Sequence, residues 1–293
     1  MKKVRIIGIG IATMDIYLHQ SRMYPGGNEY NIAYHAKQQG ADAGFMGIFA
    51  DDHAGWILEQ TLEDAGIDTS HSHHESGSSG YALVDLAEGD RVFLDWNKKG
   101  VTDLYPFTFT EEEIQYIQTF DAACISWGAR VTAEKIQKLS EAGVAVCYDF
   151  YDNFTDEDIE RISPYIRYGF FSGSHISEDE AGEILRKCVE KGCRLAVATR
   201  GHDATIAYDG ENYYSHDIVK VKVKDTMGAG DSFISSFLTN YLSAGADESG
   251  AGDKITASLK KAAEYAATVV VKDGALGVGY DVDLDRLSDL IHM

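Results

Sequence analysis

The chain is poor in proline, in cysteine and in positive charge, and each shortage narrows what it can be. Only three prolines occur in 293 residues, and none marks a boundary, so no Pro-rich linker divides the chain. The four cysteines, Cys124, Cys147, Cys188 and Cys193, form no C-x-x-C pair and have no histidine at zinc-ligand spacing. They read as buried thiols in a reducing compartment rather than as a metal knot. No apolar run reaches transmembrane length, and the one after Met1-Lys2-Lys3 is too short for a signal peptide, so a cytoplasmic protein is expected. Lys and Arg number 26 against 47 Asp and Glu, a net charge of -21. Phosphate backbones and anionic membranes need cationic partners, which makes nucleic acid and membrane poor candidates. A small anionic ligand stays open, because amides at a helix start bind phosphate even in an acidic protein.

What is present is an α/β rhythm with enough apolar content, 44 %, to build a core. Val4 to Gly10 and Gly44 to Ala50 read as buried strands, and Asn28 to Gln39 and Gly55 to Ala65 as helices, each stopped by a glycine. Tyr81 to Trp96 departs from that rhythm: two partly alternating runs flank Ala87-Glu88-Gly89-Asp90, which predicts a β-hairpin. From residue 120 the rhythm returns, with strands at Ala122 to Ser126, Val144 to Phe150, Tyr168 to Ser172 and Arg194 to Thr199. A hairpin around Asp209-Gly210 and helices over Ser232 to Leu242 and Ile255 to Val271 follow. Alternating strands and helices predict a mostly parallel sheet covered on both faces. The expectation is one domain over residues 1–293 with a hairpin lid.

Chemistry concentrates where glycines open helices. Gly228-Ala229-Gly230-Asp231 precedes an apolar-periodic helix. Its small residues allow close backbone approach, and the first amides of the helix can hold a developing phosphoryl charge beside the Asp231 carboxylate. Alone, Asp231 reads equally as an N-cap. Pro25-Gly26-Gly27-Asn28-Glu29-Tyr30-Asn31 likewise opens a helix, with the Asn28 and Asn31 amides on one face, suited to sugar hydroxyls or simply to capping. Asp15 follows the first strand as a loop carboxylate at the end of the sheet where ligands bind. Thr199-Arg200-Gly201 ends another strand and is a candidate for nucleotide contact.

Together these segments resemble the ribokinase (PfkB) family of carbohydrate kinases over essentially the whole chain. Gly26-Gly27-Asn28 with Asn31, continuing to Gly47, Asp51-Asp52 and Gly55, is similar to the family's first signature, and Asp225-Thr226-Met227-Gly228-Ala229-Gly230-Asp231-Ser232-Phe233 to its second. The resemblance implies a ribokinase-like three-layer α/β/α fold with a small β-hairpin lid, formed mainly by residues 81–104 with part of 11–26, which closes over the sugar and often forms a homodimer. It implies Asp231 as catalytic base, Gly228, Ala229 and Gly230 as the anion hole, and Asp15, Gly26, Gly27, Asn28, Asn31 and Arg91 at the sugar. Thr199, Arg200 and Gly201, with Gly228 and Gly230, would face ATP. The family's Asn-x-x-Glu motif near the Mg2+-bound phosphates is matched only by Ser177-Glu178-Asp179-Glu180, so Glu180 would serve Mg2+ through water without the usual Asn. Asp225 matches the side-chain ligand of a monovalent cation, K+, while Val278 stands where a hydroxyl ligand is common.

Within the family the chain is most similar to fructoselysine 6-kinases, on Asp15-Ile16-Tyr17, the Arg91-Val92-Phe93 lid strand and Asp225-Thr226-Met227. That implies a glycated amino acid as acceptor, with Asp15, Asp85 and Asp95 complementing its ammonium group. Kinases for ribose, a ketohexose, a sugar acid or a nucleoside, and a catalytically silent sensor, are the alternatives. Gly8-Ile9-Gly10 imitates a dinucleotide fingerprint but lacks the third glycine. No G-x-x-x-x-G-K-[ST] loop exists, and His71-Ser72-His73-His74 reads as a solvated loop.

Overall fold

The computed structural model describes residues 3–87, 90–97, 99–244 and 250–291, and among these all side chains except those of residues 86, 87, 90, 91, 289 and 290. Its centre is an eight-stranded sheet. The order is Tyr213–His216, Asp203–Tyr208, Leu195–Arg200, Tyr168–Ser172, Val146–Asp149, Ala122–Ser126, Arg5–Ile9 and Asp42–Met46. The last six are parallel, and the hairpin at the first edge is antiparallel.

Strand side chains alternate between two cores, as a sheet buried on both faces requires. Ile6, Phe45, Cys124, Cys147, Phe170 and Val197 belong to one core, with residues of the helices Asn28–Gln38, Ala229–Ser243 and Ala251–Val269. Ile7, Met46, Ile125, Val146, Phe171 and Ala198 belong to the other, with Ile136, Ile159 and Leu185 of the helices Ala133–Glu141, Asp156–Ile162 and Glu178–Glu190. This is the three-layer α/β/α arrangement expected from the sequence. All four cysteines are buried free thiols, and among the described residues no helix is long and apolar enough to cross a membrane.

Three local readings change. The run Gly44 to Ala50 is two strands, Asp42–Met46 in the main sheet and Ile48–Ala50 paired with His73–Glu75. The break falls at Gly47, where a Cβ would lie 2.4 Å from the Phe45 ring. Asp15 is not in a loop but within the strand Thr13–Tyr17. The hairpin Gly80–Ala87/Asp90–Trp96 does not stand alone: it belongs to a five-stranded sheet ordered Tyr280–Asp281, Arg22–Gly26, Thr13–Tyr17, Gly80–Ala87, Asp90–Trp96. Its Glu88 and Gly89 lie outside the described residues.

The Gly8-x-Gly10 segment now has a packing explanation. A Cβ on Gly8 would stand 2.1 Å from the Glu29 carbonyl oxygen, and one on Gly10 would stand 2.2 Å from the Glu29 carboxyl. The two glycines let the start of the helix Asn28–Gln38 settle directly onto the first strand.

Candidate active site

Two helix starts meet at one carboxylate. Asp231 lies in the first turn of the helix Ala229–Ser243, after Gly228 in the left-handed conformation (φ 71°). A side chain at Gly228 would be strained there, and its Cβ would lie 2.6 Å from that of Ala275. A Cβ on Gly230, by contrast, meets no atom within 4 Å, so nothing in the protein requires a glycine at that position. The Ala229 amide donates to Thr226 O at 3.2 Å and closes the turn. The amides of Gly230 and Asp231 in the first turn, with Gly228 before it, are therefore the donors this helix start can offer a ligand.

Asn28 Nδ2 donates to Asp231 Oδ1 at 3.1 Å, and Asn31 Nδ2 to Oδ2 at 2.7 Å. The i, i+3 amides foreseen on one helix face thus grip the carboxylate of the second glycine segment, some 200 residues on in the chain. Asn31 Oδ1 is buried without a partner, as an acceptor awaiting a donor would be. Gly26 and Gly27 shape the same corner. A Cβ on Gly26 would lie 2.8 Å from Asp15 Oδ2 and 3.8 Å from Asn31 Oδ1. Gly27, at φ 116°, brings its backbone against Ile11 O.

Burial drives the Asp231 carboxyl well above the usual carboxylate range; Asn31 opposes the shift, while the charges of Asp149, Glu29 and Asp15 add to it. Two of these neighbours were not singled out in the sequence. Glu29 is fully buried, accepts from the Ile11 amide at 3.1 Å, and is pushed by burial up to about 7. Asp149, at the carboxyl end of Val146–Asp149, is likewise raised by burial to about 7, against the pull of the Tyr151 amide and Asn28. Tyr151 takes a positive φ (59°), and its hydroxyl meets Ser126 Oγ at 3.2 Å beside the half-exposed Trp127. A carboxylate at the end of a parallel strand was the available signal for Asp149.

A cavity of 610 Å³ adjoins Ala229 and Gly230. Thr199, Arg200 and Gly201 line it as expected, together with Thr226, Phe233, residues 218–221, Val223 and the alanine face Ala263, Ala266 and Ala267. Arg200 is buried against Glu178 Oε2 (3.7 Å) and Asp203 Oδ2 (3.6 Å), with its Nε unpartnered. The alternation Val219-Lys220-Val221-Lys222-Val223, whose valines are partly exposed, was the missed clue to this wall.

Glu180 is exposed and forms a capping box with Ser177: Oε2 accepts from Ser177 N at 2.8 Å and Oγ at 2.7 Å. That bond holds its pKa below the ordinary value. Among the described residues no cluster of three or more His, Cys, Asp or Glu suited to a metal occurs. The Asp225 carboxylate is buried and accepts from Tyr17 OH at 2.6 Å, Gly274 N at 2.8 Å and Met227 N at 2.9 Å. The Arg91 side chain lies outside the described residues.

The backbone superposes on Arabidopsis thaliana ribokinase complexed with ribose and ATP, with a TM-score of 0.78 and 17 % identity, covering 94 % of this chain and 95 % of that one. A fructokinase with bound ATP from Xylella fastidiosa gives 0.76 at 18 % identity, covering 94 % of each chain. The fold is therefore ribokinase-like. Residues 6–278 match the pfkB family of carbohydrate kinases, and the chain belongs to that family. It is a carbohydrate kinase, which transfers a phosphoryl group to a sugar hydroxyl. Among its relatives are the fructosamine kinase FrlD of Bacillus subtilis, 34 % identical over 283 residues and 96 % of each chain, and the fructoselysine 6-kinase of Shigella flexneri, 32 % identical over 88 % of this chain and 96 % of that one.

Proposed function

We propose that this kinase transfers the γ-phosphoryl of ATP to a primary hydroxyl of a fructosamine, first of all the 6-hydroxyl of fructoselysine. The bonds from Asn28 and Asn31 to Asp231 carry the reading, because they bring both glycine segments to one carboxylate, next in the chain to the Ala229 and Gly230 that line the 610 Å³ cavity. Asp231 accepts the hydroxyl proton as the oxygen attacks in line, and the Gly228 and Gly230 amides stabilise the charge that develops on the phosphoryl oxygens. Asn31 Oδ1 and Asp15 hold sugar hydroxyls above Gly26, with Asp15 also complementing the substrate's ammonium group. Arg91 is assigned to the sugar from its place on the lid strand.

The 610 Å³ cavity takes the adenosine, its apolar wall matching a base and Arg200 standing at its polar end. Glu180 fits magnesium through water, since Oε2 is committed to the capping box and, among the described residues, nothing donates to Oε1. Bound with the nucleotide, magnesium supplies positive charge against the phosphates. The five-stranded sheet acts as the lid. Its exposed Phe93, Leu94 and Trp96 support its use as a homodimer face.

The test is ADP release with Mg-ATP across fructoselysine, other fructosamines, ribose, fructose, sugar acids and nucleosides. Turnover on fructoselysine far above the rest is expected. Preference for another acceptor would discard the substrate and keep the mechanism. Binding without ADP release on any acceptor would favour a sensor.

A further inference from the structure

We propose that Tyr17 is a positioning residue for phosphoryl transfer: its hydroxyl pins Asp225, and through it the anion-hole turn, and so does the work of a bound monovalent cation in this enzyme. The inference rests on the kinase reading of the Gly228–Asp231 turn.

Asp225 is the hinge of that turn. Its Oδ1 accepts from the Met227 amide at 2.9 Å, which fixes Asp225-Thr226-Met227, and the Ala229 amide then closes on Thr226 O at 3.2 Å to deliver Gly228 and Gly230. Its Oδ2 accepts from Tyr17 OH at 2.6 Å and from Gly274 N at 2.8 Å. A carboxylate already holding three protein donors at these distances gains little from a cation, because those bonds fill its coordination space. The surroundings agree. The Tyr24 ring packs so closely over the following loop that a Cβ on Gly274 would stand 2.4 Å from it. Lys224 Nζ, on the residue before Asp225, is paired with Asp273 in the same loop, so a side-chain ammonium already supplies positive charge. Val278 packs against the apolar core and offers no hydroxyl.

The placement of Tyr17 gives the bond a second consequence. Tyr17 ends the strand that carries Asp15, and it is buried against Tyr24 with ring centroids 4.8 Å apart. One short strand therefore touches the acceptor site through Asp15 and the turn through Tyr17, so sugar that orders the strand also orders the amides meeting the phosphoryl group.

The test compares wild type with Tyr17→Phe in buffers whose monovalent cation is K+, Na+ or choline. Two readouts are used: turnover with Mg-ATP and the preferred acceptor, and the thermal midpoint of the ligand-free protein. Wild type should show the same kcat and midpoint in all three buffers. Tyr17→Phe should lose roughly 10-fold in kcat in choline, as expected for one charge-assisted hydrogen bond, with the KM for ATP little changed. K+ should restore part of that loss and raise the variant's midpoint. A wild-type enzyme whose turnover or midpoint needs K+ overturns the proposal. So does a folded Tyr17→Phe that matches wild type in kcat. If the variant does not fold, the wild-type cation series alone decides. Failure of the kinase reading is separate: no acceptor is phosphorylated in any buffer.

Discussion

The two halves of the proposed active site are built from opposite materials. On the proposed acceptor side, Asp15, Glu29, Asp149 and Asp231 are all buried, and the hydrogen bonds of Asn28, Asn31 and the Ile11 and Tyr151 amides hold Asp231, Glu29 and Asp149 before any ligand arrives. On the proposed nucleotide side, a 610 Å³ cavity is walled by alanines, valines and a phenylalanine, with Arg200 and Lys220 as its charged residues. The first half carries a large electrostatic cost. Crowded, desolvated carboxylates raise one another's pKa, and only a ligand with donors or positive charge relieves them. The second half carries less, confined to the buried Arg200 with its unpartnered Nε, and selects mainly by shape. Specificity for the acceptor should therefore respond to single polar substitutions and to pH, and nucleotide binding to volume.

That contrast can be broken or sharpened experimentally. The largest effect is expected where the halves join. Gly230→Ala should leave the thermal midpoint unchanged, since its Cβ meets no protein atom, yet cut kcat by roughly 10²–10³ by filling phosphate space. Gly228→Ala should lose both turnover and stability, because of its positive φ and the 2.6 Å approach to Ala275. Equal midpoints for the two variants would contradict this division.

Next in size, Ala266→Leu should raise the KM for ATP roughly tenfold by crowding the cavity wall, with the acceptor KM unmoved. A rise in the acceptor KM instead would place the nucleotide elsewhere.

A subtler effect concerns pH. kcat/KM should rise with pH through a value above the usual carboxylate range, as Asp231 ionises. Asp149→Asn removes a charge that opposes that ionisation, so the limb should move to lower pH; an unmoved limb would uncouple the two groups.

A last effect is on stability. Glu29 titrates near 7 in the fold against about 4.5 when unfolded. Its contribution is thus present in full below about pH 4.5 and is lost as pH rises through 7, a change of roughly 3 kcal/mol. Glu29→Gln, whose amide oxygen can still accept from Ile11, should therefore gain thermal midpoint over wild type between pH 5 and 8. A constant difference across that range would mean that Glu29 is not the titrating group.

The same contrast explains what could be read from the chain. Strands such as Ala122–Ser126 and Tyr168–Ser172 were placed to the residue, because continuous apolar runs between turns mark a sheet buried on both faces. Asp231, Asn28 and Asn31 were visible because glycines before a helix announce themselves. The strands Thr13–Tyr17 and Arg22–Gly26 were not, because Asp15, Arg22, Pro25 and Gly26 interrupt any alternation and their partners lie far along the chain. Glu29 and Asp149 were missed because burial, not residue type, makes them unusual. The wall Ala263, Ala266 and Ala267 carries only the periodicity of an ordinary buried helix face.

The central claim is that Asp231 is the base, and Asp231→Asn tests it most directly. The amide keeps the shape of the side chain but cannot take the hydroxyl proton. With acceptor and ATP affinities measured calorimetrically beside steady-state turnover, the account predicts both ligands bound within a few-fold of wild type and kcat lowered by roughly 10²–10⁴. An Asp231→Asn enzyme that turns over at the wild-type rate would contradict it.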